Sequence, residues 1–106
     1  MRRGEIWWVA FDPALGGEIR KTRPAVIVSN DAACLHQNRL QVVPVSSRVT
    51  SIRRWESPLI VDGRPCKALA DQVRTVAKER LASRIGEASP SEMSGIEAAL
   101  RLQLDL

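Results

Sequence analysis

The apolar run AVIVS, at 25–29, has the length and the branched side chains of a strand that is buried on both faces. Pro24 stands directly before it. Because proline disfavours helical backbone in the preceding residue, we expect Arg23 to be extended and fixed at the start of that strand. The sequence therefore predicts a fully buried strand with an anchored arginine at its start.

Several other stretches have the composition of strands, and they alternate with turn signals such as DGRP (62–65). Pro44 lies within one of them, and because proline cannot donate to a ladder it predicts an edge or bulge position there. SNDAACLHQNRL (29–40) predicts a polar connection or a short helix. The predicted strands are EIWWVAF (5–11), LQVVPVSS (40–47), SPLIV (57–61) and CKALADQVRTV (66–76).

The end of the chain predicts a helix. Ser89 has the character of an N-cap, Pro90 suits the first helical position, and Glu92 completes a capping box. Apolar residues then recur at helical spacing, which predicts one apolar face against the sheet or a partner. The expected fold is therefore mainly β with a C-terminal α-helix, a single domain (1–106) with a strongly curved sheet or barrel. The apolar face comprises Met93, Ile96, Leu100 and Leu104.

Charge is distributed unevenly along the 106 residues, whose formal net charge is +4. Residues 1–54 hold nine Lys or Arg against four Asp or Glu, whereas residues 55–106 hold seven against eight. A cationic field attracts polyanions such as nucleic acid. The chain has neither a run of roughly 18 apolar residues nor the pattern of a signal peptide, so we expect a cytoplasmic protein without a membrane span.

The types of reactive residue narrow the chemistry. The carboxylates are scattered, which does not favour a two-metal site, and His36 is the one histidine, too few for zinc or for a two-histidine acid–base pair. Cys34 and Cys66 lack metal-site spacing and are expected to be packing residues. P-loop, dinucleotide and G-x-S-x-G motifs are absent. We therefore expect neither a metal nor a cofactor.

Arginine, hydroxyl and carboxylate groups remain as candidates. Arg23 would offer a fixed planar fork of donors that matches phosphate oxygens. Ser46 and Ser47 follow Pro44 and could donate to a phosphate or orient a ribose, although serines also end strands for local reasons. Glu18 lies in the glycine-containing stretch 12–22, which we interpret as a mobile cationic flap, and could act as a base, an arginine partner or neither.

Taken together, three ordered segments resemble the MazF/PemK family of bacterial toxin endoribonucleases. They are RRGEIWWVAFDPALGGEIRKTRPAVIVSN (2–30), VVPVSS (42–47) and ALADQVRTVAKERLASRIGEAS (68–89). The resemblance implies an SH3-like β-barrel, a homodimer, and metal-independent cleavage of single-stranded RNA that leaves a 2′,3′-cyclic phosphate and a free 5′-hydroxyl. It also implies a cognate MazE-like antitoxin that covers the cationic groove.

By the same resemblance, Arg23 and Ser46 would hold the scissile phosphate and Glu18 would be the candidate base. The sequence departs from the family pattern at Ser46, where threonine is usual, and at Ala10, where an acidic residue is common. RNA bases would be read by the basic stretches 12–22 and 48–54 and by stacking on the ring of Trp7, Trp8 or Trp55. Trp55 is favoured because at least one of the adjacent Trp7 and Trp8 should face the core. The predicted substrate-binding residues are Arg20, Lys21, Thr22, Pro44, Ser47, Arg48, Arg53, Trp55 and Gln72.

Two other classes of function remain open at this point. The same fold is used by the CcdB family of toxins, which poison DNA gyrase without cutting RNA, but the C-terminal sequence LQLDL (102–106) lacks the distinctive end of that family. A nucleic-acid-binding barrel without catalytic activity is the other alternative. Neither alternative needs Arg23 and Ser46 to act together, so these two residues distinguish the hypotheses.

Overall fold

The computed structural model describes residues 1–11 and 21–106. Over these ranges the chain forms seven strands, two α-helices and two short 3-10 turns, Ala70–Gln72 and Lys78–Arg80. Among the described residues, no helix is both long and apolar enough to cross a membrane. The strands are β1 (Glu5–Ala10), β2 (Thr22–Ile27), β3 (Arg39–Ser46), β4 (Glu56–Val61), β5 (Arg64–Leu69), β6 (Arg74–Ala77) and β7 (Leu81–Glu87), and the helices are α1 (Asp31–His36) and α2 (Pro90–Leu104).

The strands form one antiparallel sheet in the order β4-β5-β3-β2-β1-β7, with β6 also paired to β3. β3 is shared: one of its sides pairs with β2, and the other pairs first with β6 and then with β5. This sharing curls the sheet into a half-barrel. The prediction of a mainly β fold with a C-terminal helix is confirmed, and so is the short helix between 29 and 40.

Two local predictions were wrong. The stretch 66–76 is not one strand, because a 3-10 turn separates β5 from β6 and sends the chain to a different part of β3. Pro44 lies inside the shared strand rather than at an edge, and it is fully buried. The predicted apolar face of α2 is covered in part by the sheet: Ile96 in the middle of the helix is fully buried, whereas Leu104 is 51% exposed in the single chain, so the predicted contact with a partner stays a prediction for it.

Two prolines explain how β3 changes partners. Val28 N–H donates to the Gln41 carbonyl. Counted from that pair, every second residue pair of β2 and β3 is therefore a hydrogen-bonded pair. By this count Pro24 and Val45 would form a hydrogen-bonded pair, but proline has no N–H to donate. Pro44 pairs with Ala25 at the intervening position, so its missing N–H falls on the other side of β3, where the neighbour changes from β6 to β5.

Side chains alternate between two faces of the sheet, and each face has its own core. One core contains Val9, Phe11 and Ile27, with α1 packed on it through Cys34. The other core lies beneath α2. Its central buried residues are Ile6, Val26, Val43, Val45, Leu59 and Ile96.

The start of α2 is fixed to the edge strand β4. Ser89 Oγ accepts from Glu92 N–H at 3.1 Å, and Glu92 Oε1 accepts from Ser89 N–H at 2.8 Å, which is the predicted capping box. The second oxygen of Glu92 accepts from the Ile60 N–H of β4 at 2.7 Å. One carboxylate therefore caps the helix and also accepts a hydrogen bond from a backbone N–H at the edge of the sheet.

Gly95 allows α2 to approach β4 closely. A Cβ at this position would lie 2.4 Å from Oγ of Ser57, whose side chain is buried in β4. Alanine favours a helix over glycine by up to about 1 kcal/mol, but overpacking a buried contact costs about 1–3 kcal/mol. We therefore expect Gly95→Ala to lower the free energy of unfolding, as measured by urea denaturation.

The double variant Gly95→Ala/Ser57→Ala is the matched control. Removing Oγ of Ser57 leaves the nearest remaining atom of that side chain 3.7 Å from the new methyl group, an ordinary contact. The double variant should therefore be more stable than the sum of the two single changes predicts. Strict additivity would show that contact with Ser57 is not the cause.

Candidate active site

A cavity of about 320 Å³ opens where β2 and β3 stop pairing. Its walls are partly apolar, from Val45, Val61 and Ile85, while two arginines and a carboxylate line it as well. A lining of mixed apolar and charged groups suits a ligand with an aromatic part and an anionic part. The lining residues are Trp8, Arg23, Pro24, Val45, Ser47, Val61, Asp62, Arg64, Cys66 and Ile85.

Arg23 is held by its backbone. It is the second residue of β2, its register partner is Val9 of β1, and it is half-buried. The following pair, Trp8 with Pro24, lies on the same two strands. The prediction of an extended, fixed Arg23 before the buried run is confirmed by this pairing.

The opposite wall comes from the β4–β5 hairpin. Asp62 and Gly63 form its turn and both have positive φ, 51° and 77°. Two residues in this conformation make the tight hairpin turn that the Asp-Gly sequence favours. The turn places Asp62 and Arg64 at the cavity. The Asp-Gly sequence predicts the turn but not the role of its flanking charges, because turn chemistry does not reveal what the tip faces.

The adjacent tryptophans of β1 have different surroundings. Trp7 packs on the core formed by Val9 and Phe11, and its indole N–H donates to Glu5 Oε1 at 3.0 Å. Trp8 is 41% exposed and lines the cavity. The sequence favours Trp55 for stacking among the three tryptophans, because alternation alone does not say which of Trp7 and Trp8 faces the core.

The two serines after Pro44 also separate. Ser47 lines the cavity together with Val45, as alternate residues of an extended segment do. Ser46 is half-buried, is not among the lining residues, and accepts from the Arg48 N–H through Oγ at 3.1 Å. Continuing the Ala25–Pro44 register by two residues places Ser46 opposite Arg23, so both belong to the two strand ends that diverge.

Residues 47–55, which we call the basic loop, connect β3 to β4. Arg48, Arg53 and Arg54 are exposed there, and Trp55 is half-buried with the Arg53 guanidinium carbon 5.8 Å from its ring centroid. Lys67 of β5 donates to the Ser51 carbonyl at 2.8 Å. The loop thus presents cations to solvent, while a hydrogen bond from Lys67 of the sheet holds its backbone.

The remaining predicted residues divide into described and undescribed positions. Lys21 and Thr22 are exposed at the start of β2, and Phe11 N–H donates to the Lys21 carbonyl at 2.9 Å. Gln72 is half-buried at the end of a 3-10 turn, and Pro44 is buried, so Pro44 supports the site from within the sheet rather than lining it. Glu18 and Arg20, and most of the stretch interpreted as a flap, lie outside the described residues.

Two glutamates have carboxylates stabilised by the fold. Burial alone would raise the pKa of Glu5, but hydrogen bonds from the Trp7 indole and the Arg2 N–H, together with Arg84, lower it overall. Glu5 thus joins the start of the chain to β7, a structural role that its place in the resemblance motif did not specify.

Glu56 shows the same balance at the base of the basic loop. Burial would raise its pKa, but the Arg53 N–H at 2.8 Å and the Lys67 ammonium at 3.0 Å outweigh burial and lower the pKa. The side chains of Glu56 and Lys67 are only 8% and 13% exposed. This ion pair is therefore nearly dry, and each charge depends on the other.

The cysteines and carboxylates do not assemble a metal centre within residues 1–11 and 21–106, where no group of three or more candidate ligands occurs. Cys66 lines the cavity, but burial raises the pKa of its thiol, which favours the neutral form. Its surroundings are those of a packing residue. Among the described residues, the groups available for chemistry at the cavity are thus guanidinium, hydroxyl and carboxylate.

Residues 2–104 match the family of PemK-like, MazF-like toxins of type II toxin–antitoxin systems. The chain is 44% identical to Endoribonuclease MazF9 of Mycobacterium tuberculosis over 118 aligned positions, covering all of this chain and 98% of that protein. The crystal structure of MazF from Deinococcus radiodurans superposes with a TM-score of 0.88 at 27% identity, covering 100% of this chain and 97% of that one. A mycobacterial endoribonuclease in complex with its cognate antitoxin gives 0.84 at 22% identity, covering 100% and 96%.

The Glu56 carboxylate should make stability depend on pH. A folded-state pKa below the ordinary value of 4.5 stabilises the fold fully above that value, and the stabilisation is lost as the pH falls through the folded-state pKa. We expect Glu56→Gln to cost about 1–3 kcal/mol at neutral pH, and the difference from wild type to shrink in acid. Urea denaturation at several pH values measures it, and a difference that is constant with pH would contradict this origin.

Proposed function

The chain belongs to the family of PemK-like, MazF-like toxins of type II toxin–antitoxin systems, and from that membership we propose a sequence-specific endoribonuclease that cuts single-stranded RNA without a metal ion. The observation that carries the proposal is the cavity beside a backbone-fixed Arg23, at the divergence of two strands. The name of the relative at 44% identity, an endoribonuclease, supports the same reaction class. Cleavage of RNA in the cytoplasm would stop translation and growth.

Arg23 is proposed to stabilise the charge that develops on the phosphoryl oxygens. When the ribose 2′-hydroxyl gives up its proton and its oxygen attacks the phosphorus, negative charge grows on the non-bridging oxygens. The bond from phosphorus to the 5′-oxygen then breaks, and the 5′-oxygen takes up one proton in exchange, which gives a 2′,3′-cyclic phosphate and a 5′-hydroxyl. A guanidinium stays protonated near neutrality, so it acts as a clamp rather than as a base. Ser46, opposite Arg23 in the continued register, would donate its hydroxyl to the same phosphate.

The cavity is proposed to hold a nucleotide next to the scissile phosphate. The exposed ring of Trp8 offers a stacking surface, and stacking on an aromatic side chain contributes about 1–3 kcal/mol per base. Asp62 at the hairpin tip accepts hydrogen bonds only, so it would favour base edges that carry donors. Arg64 supplies a second cation for a flanking phosphate. Glu18 remains the proposed base that takes the 2′-hydroxyl proton.

Two protein partners belong to the proposal. We propose a homodimer, supported by apolar side chains left exposed near the end of the chain, Leu102 and Leu106 among them. We also propose a MazE-like antitoxin that competes with RNA for the cationic surface of the basic loop and Arg23. The similarity of the fold to that of an endoribonuclease solved with its antitoxin supports the second partner.

Arg23→Ala tests the proposed chemistry. We expect purified wild-type protein to cut mixed-sequence single-stranded RNA in excess EDTA at a recurring short sequence, and Arg23→Ala to lower the cleavage rate at least about 100-fold, because the transition-state charge loses its clamp. Arg39→Ala is the matched control: Arg39 is an exposed arginine at the opposite end of β3, and its loss should leave the rate near that of wild type. If wild-type protein leaves the RNA intact and traps gyrase–DNA complexes, the proposal is wrong and the protein is a gyrase poison.

Ser46→Ala and Ser47→Ala separate the two hydroxyls. We expect Ser46→Ala to lower kcat about 100-fold while RNA binding persists, and Ser46→Thr to retain most activity, because only the hydroxyl is needed. Ser47→Ala, at the cavity, should act mainly on KM. A fall in kcat for Ser47→Ala with an active Ser46→Ala would assign the phosphate contact to Ser47 instead.

A further inference from the structure

Lys67 lies in an unusual place for a lysine. It is in β5, where its register partners are Ser46 of β3 and Pro58 of β4. Its side chain is only 13% exposed, although lysines are rarely buried unless paired. Residues directly opposite on neighbouring strands share a face of the sheet, so the stem of Lys67 starts beside the Ser46 side chain. The stem of a largely buried lysine therefore starts beside the residue whose hydroxyl is proposed to touch the phosphate.

The ammonium of Lys67 joins two parts of the basic loop. It donates to the Ser51 carbonyl at 2.8 Å and to Glu56 Oε1 at 3.0 Å. The same oxygen of Glu56 accepts from the Arg53 N–H at 2.8 Å. The centre of the loop and its C-terminal end are thus attached to one point on β5.

This attachment fixes the loop without hydrogen bonds to the guanidinium groups of its arginines. Arg48, Arg53 and Arg54 keep exposed side chains, while the bonds that hold the loop go to backbone groups of Ser51 and Arg53. A loop held by its backbone presents its side chains in one arrangement, and the ordering cost is met before any ligand binds. The Arg53 guanidinium over the Trp55 ring extends the same ordered surface.

We propose that Lys67 is a positioning residue that determines which RNA sequence is cut, because it fixes the backbone of the basic loop beside the strand end that carries Ser46. The inference rests on the proposed function. Lys67 does not touch RNA; it acts through the loop, whose side chains would contact the bases and phosphates that flank the cut.

Such a role predicts an effect on selectivity that is separate from any effect on stability. Phosphate contacts depend on charge and tolerate a mobile loop, whereas base contacts depend on position. Loss of the tether should therefore let the loop accept RNA of the wrong sequence while the cations still attract the backbone. Misplacement by a small distance is enough to change the rate at one sequence about tenfold or more.

The experiment compares Lys67→Met, which keeps the stem and removes the charge, with Lys67→Arg, which keeps the charge and the donors. Each full-length protein is incubated with single-stranded RNA of random sequence, and the new 5′-hydroxyl ends are mapped. We expect Lys67→Met to reduce the ratio of cleavage at the preferred site over single-base variants about tenfold, and Lys67→Arg to restore most of it. Lys67→Gln serves the same purpose as Lys67→Met if the methionine variant does not fold.

Two control variants exclude a general loss of structure. Glu56→Gln removes the charge of the ion pair but keeps an amide oxygen that can accept from the Arg53 N–H, and Lys67 still donates to Ser51, so it should lower stability and leave selectivity near that of wild type. Lys78→Met removes another lysine that donates to a backbone carbonyl, that of Cys34, which belongs to α1 and not to the basic loop. It should not change selectivity. Equal losses of selectivity in all three variants would overturn the proposal.

Hydrogen exchange of the basic loop gives a readout that does not depend on cleavage. We expect faster exchange across residues 47–55 in Lys67→Met than in wild type or Lys78→Met. Unchanged exchange, or faster exchange with unchanged selectivity, would overturn the positioning role. Wild-type protein that cuts no RNA would instead contradict the proposed function, and the exchange measurement would still decide whether Lys67 fixes the loop.

Discussion

The missing N–H of Pro24 is the constraint on which the site depends. At the position where β2 would donate to Val45 of β3, proline has no hydrogen to give, and the ladder stops at Ala25–Pro44. Beyond that pair the strands no longer need to stay within hydrogen-bonding distance. The cavity lies at this point, lined from one strand by Arg23 and Pro24 and from the other by Val45. The opening in the sheet is thus a consequence of backbone chemistry, and Arg23 stays fixed beside it through Val9 of β1.

The formal charge of +4 understates how differently the cations are used. Arg3 donates to the Val28 carbonyl and, at 2.7 Å, to Glu97 of α2, so it joins the start of the chain to the last helix. Arg84 pairs with Glu5, and Lys67 pairs with Glu56. These cations hold elements together through acidic or carbonyl partners. The arginines of the basic loop and of the cavity are on the surface that would meet a polyanion, so the field that attracts RNA and the pairs that stabilise the fold come from different residues.

The sequence was sufficient where a local rule decides the structure. Proline at 24 fixed the expectation for Arg23, the Ser89–Glu92 capping box defined the start of α2, and Asp62–Gly63 marked the hairpin. It was insufficient where the outcome depends on a distant strand. Pro44 was assigned to an edge or a bulge because a missing donor is usually tolerated only there, whereas here the donor is absent inside the sheet, at the point where β3 exchanges one neighbour for another. That exchange is a property of the curled sheet and cannot be derived from the residues around 44.

A distant strand also decides why the cavity is lined by Trp8 and not Trp7, and by Ser47 and not Ser46. Alternation shows that neighbours face opposite ways, but the side that holds the cavity follows from where β2 and β3 diverge and where the β4–β5 hairpin tip arrives. The position of that tip depends in turn on α2, because Glu92 holds Ile60 of β4 two residues before Asp62. β4 also begins at Glu56, the residue that ties the basic loop to Lys67. One edge strand of six residues, about 20 Å long, therefore connects the loop at one end with the cavity wall at the other, and the helix that covers it sets the geometry of both.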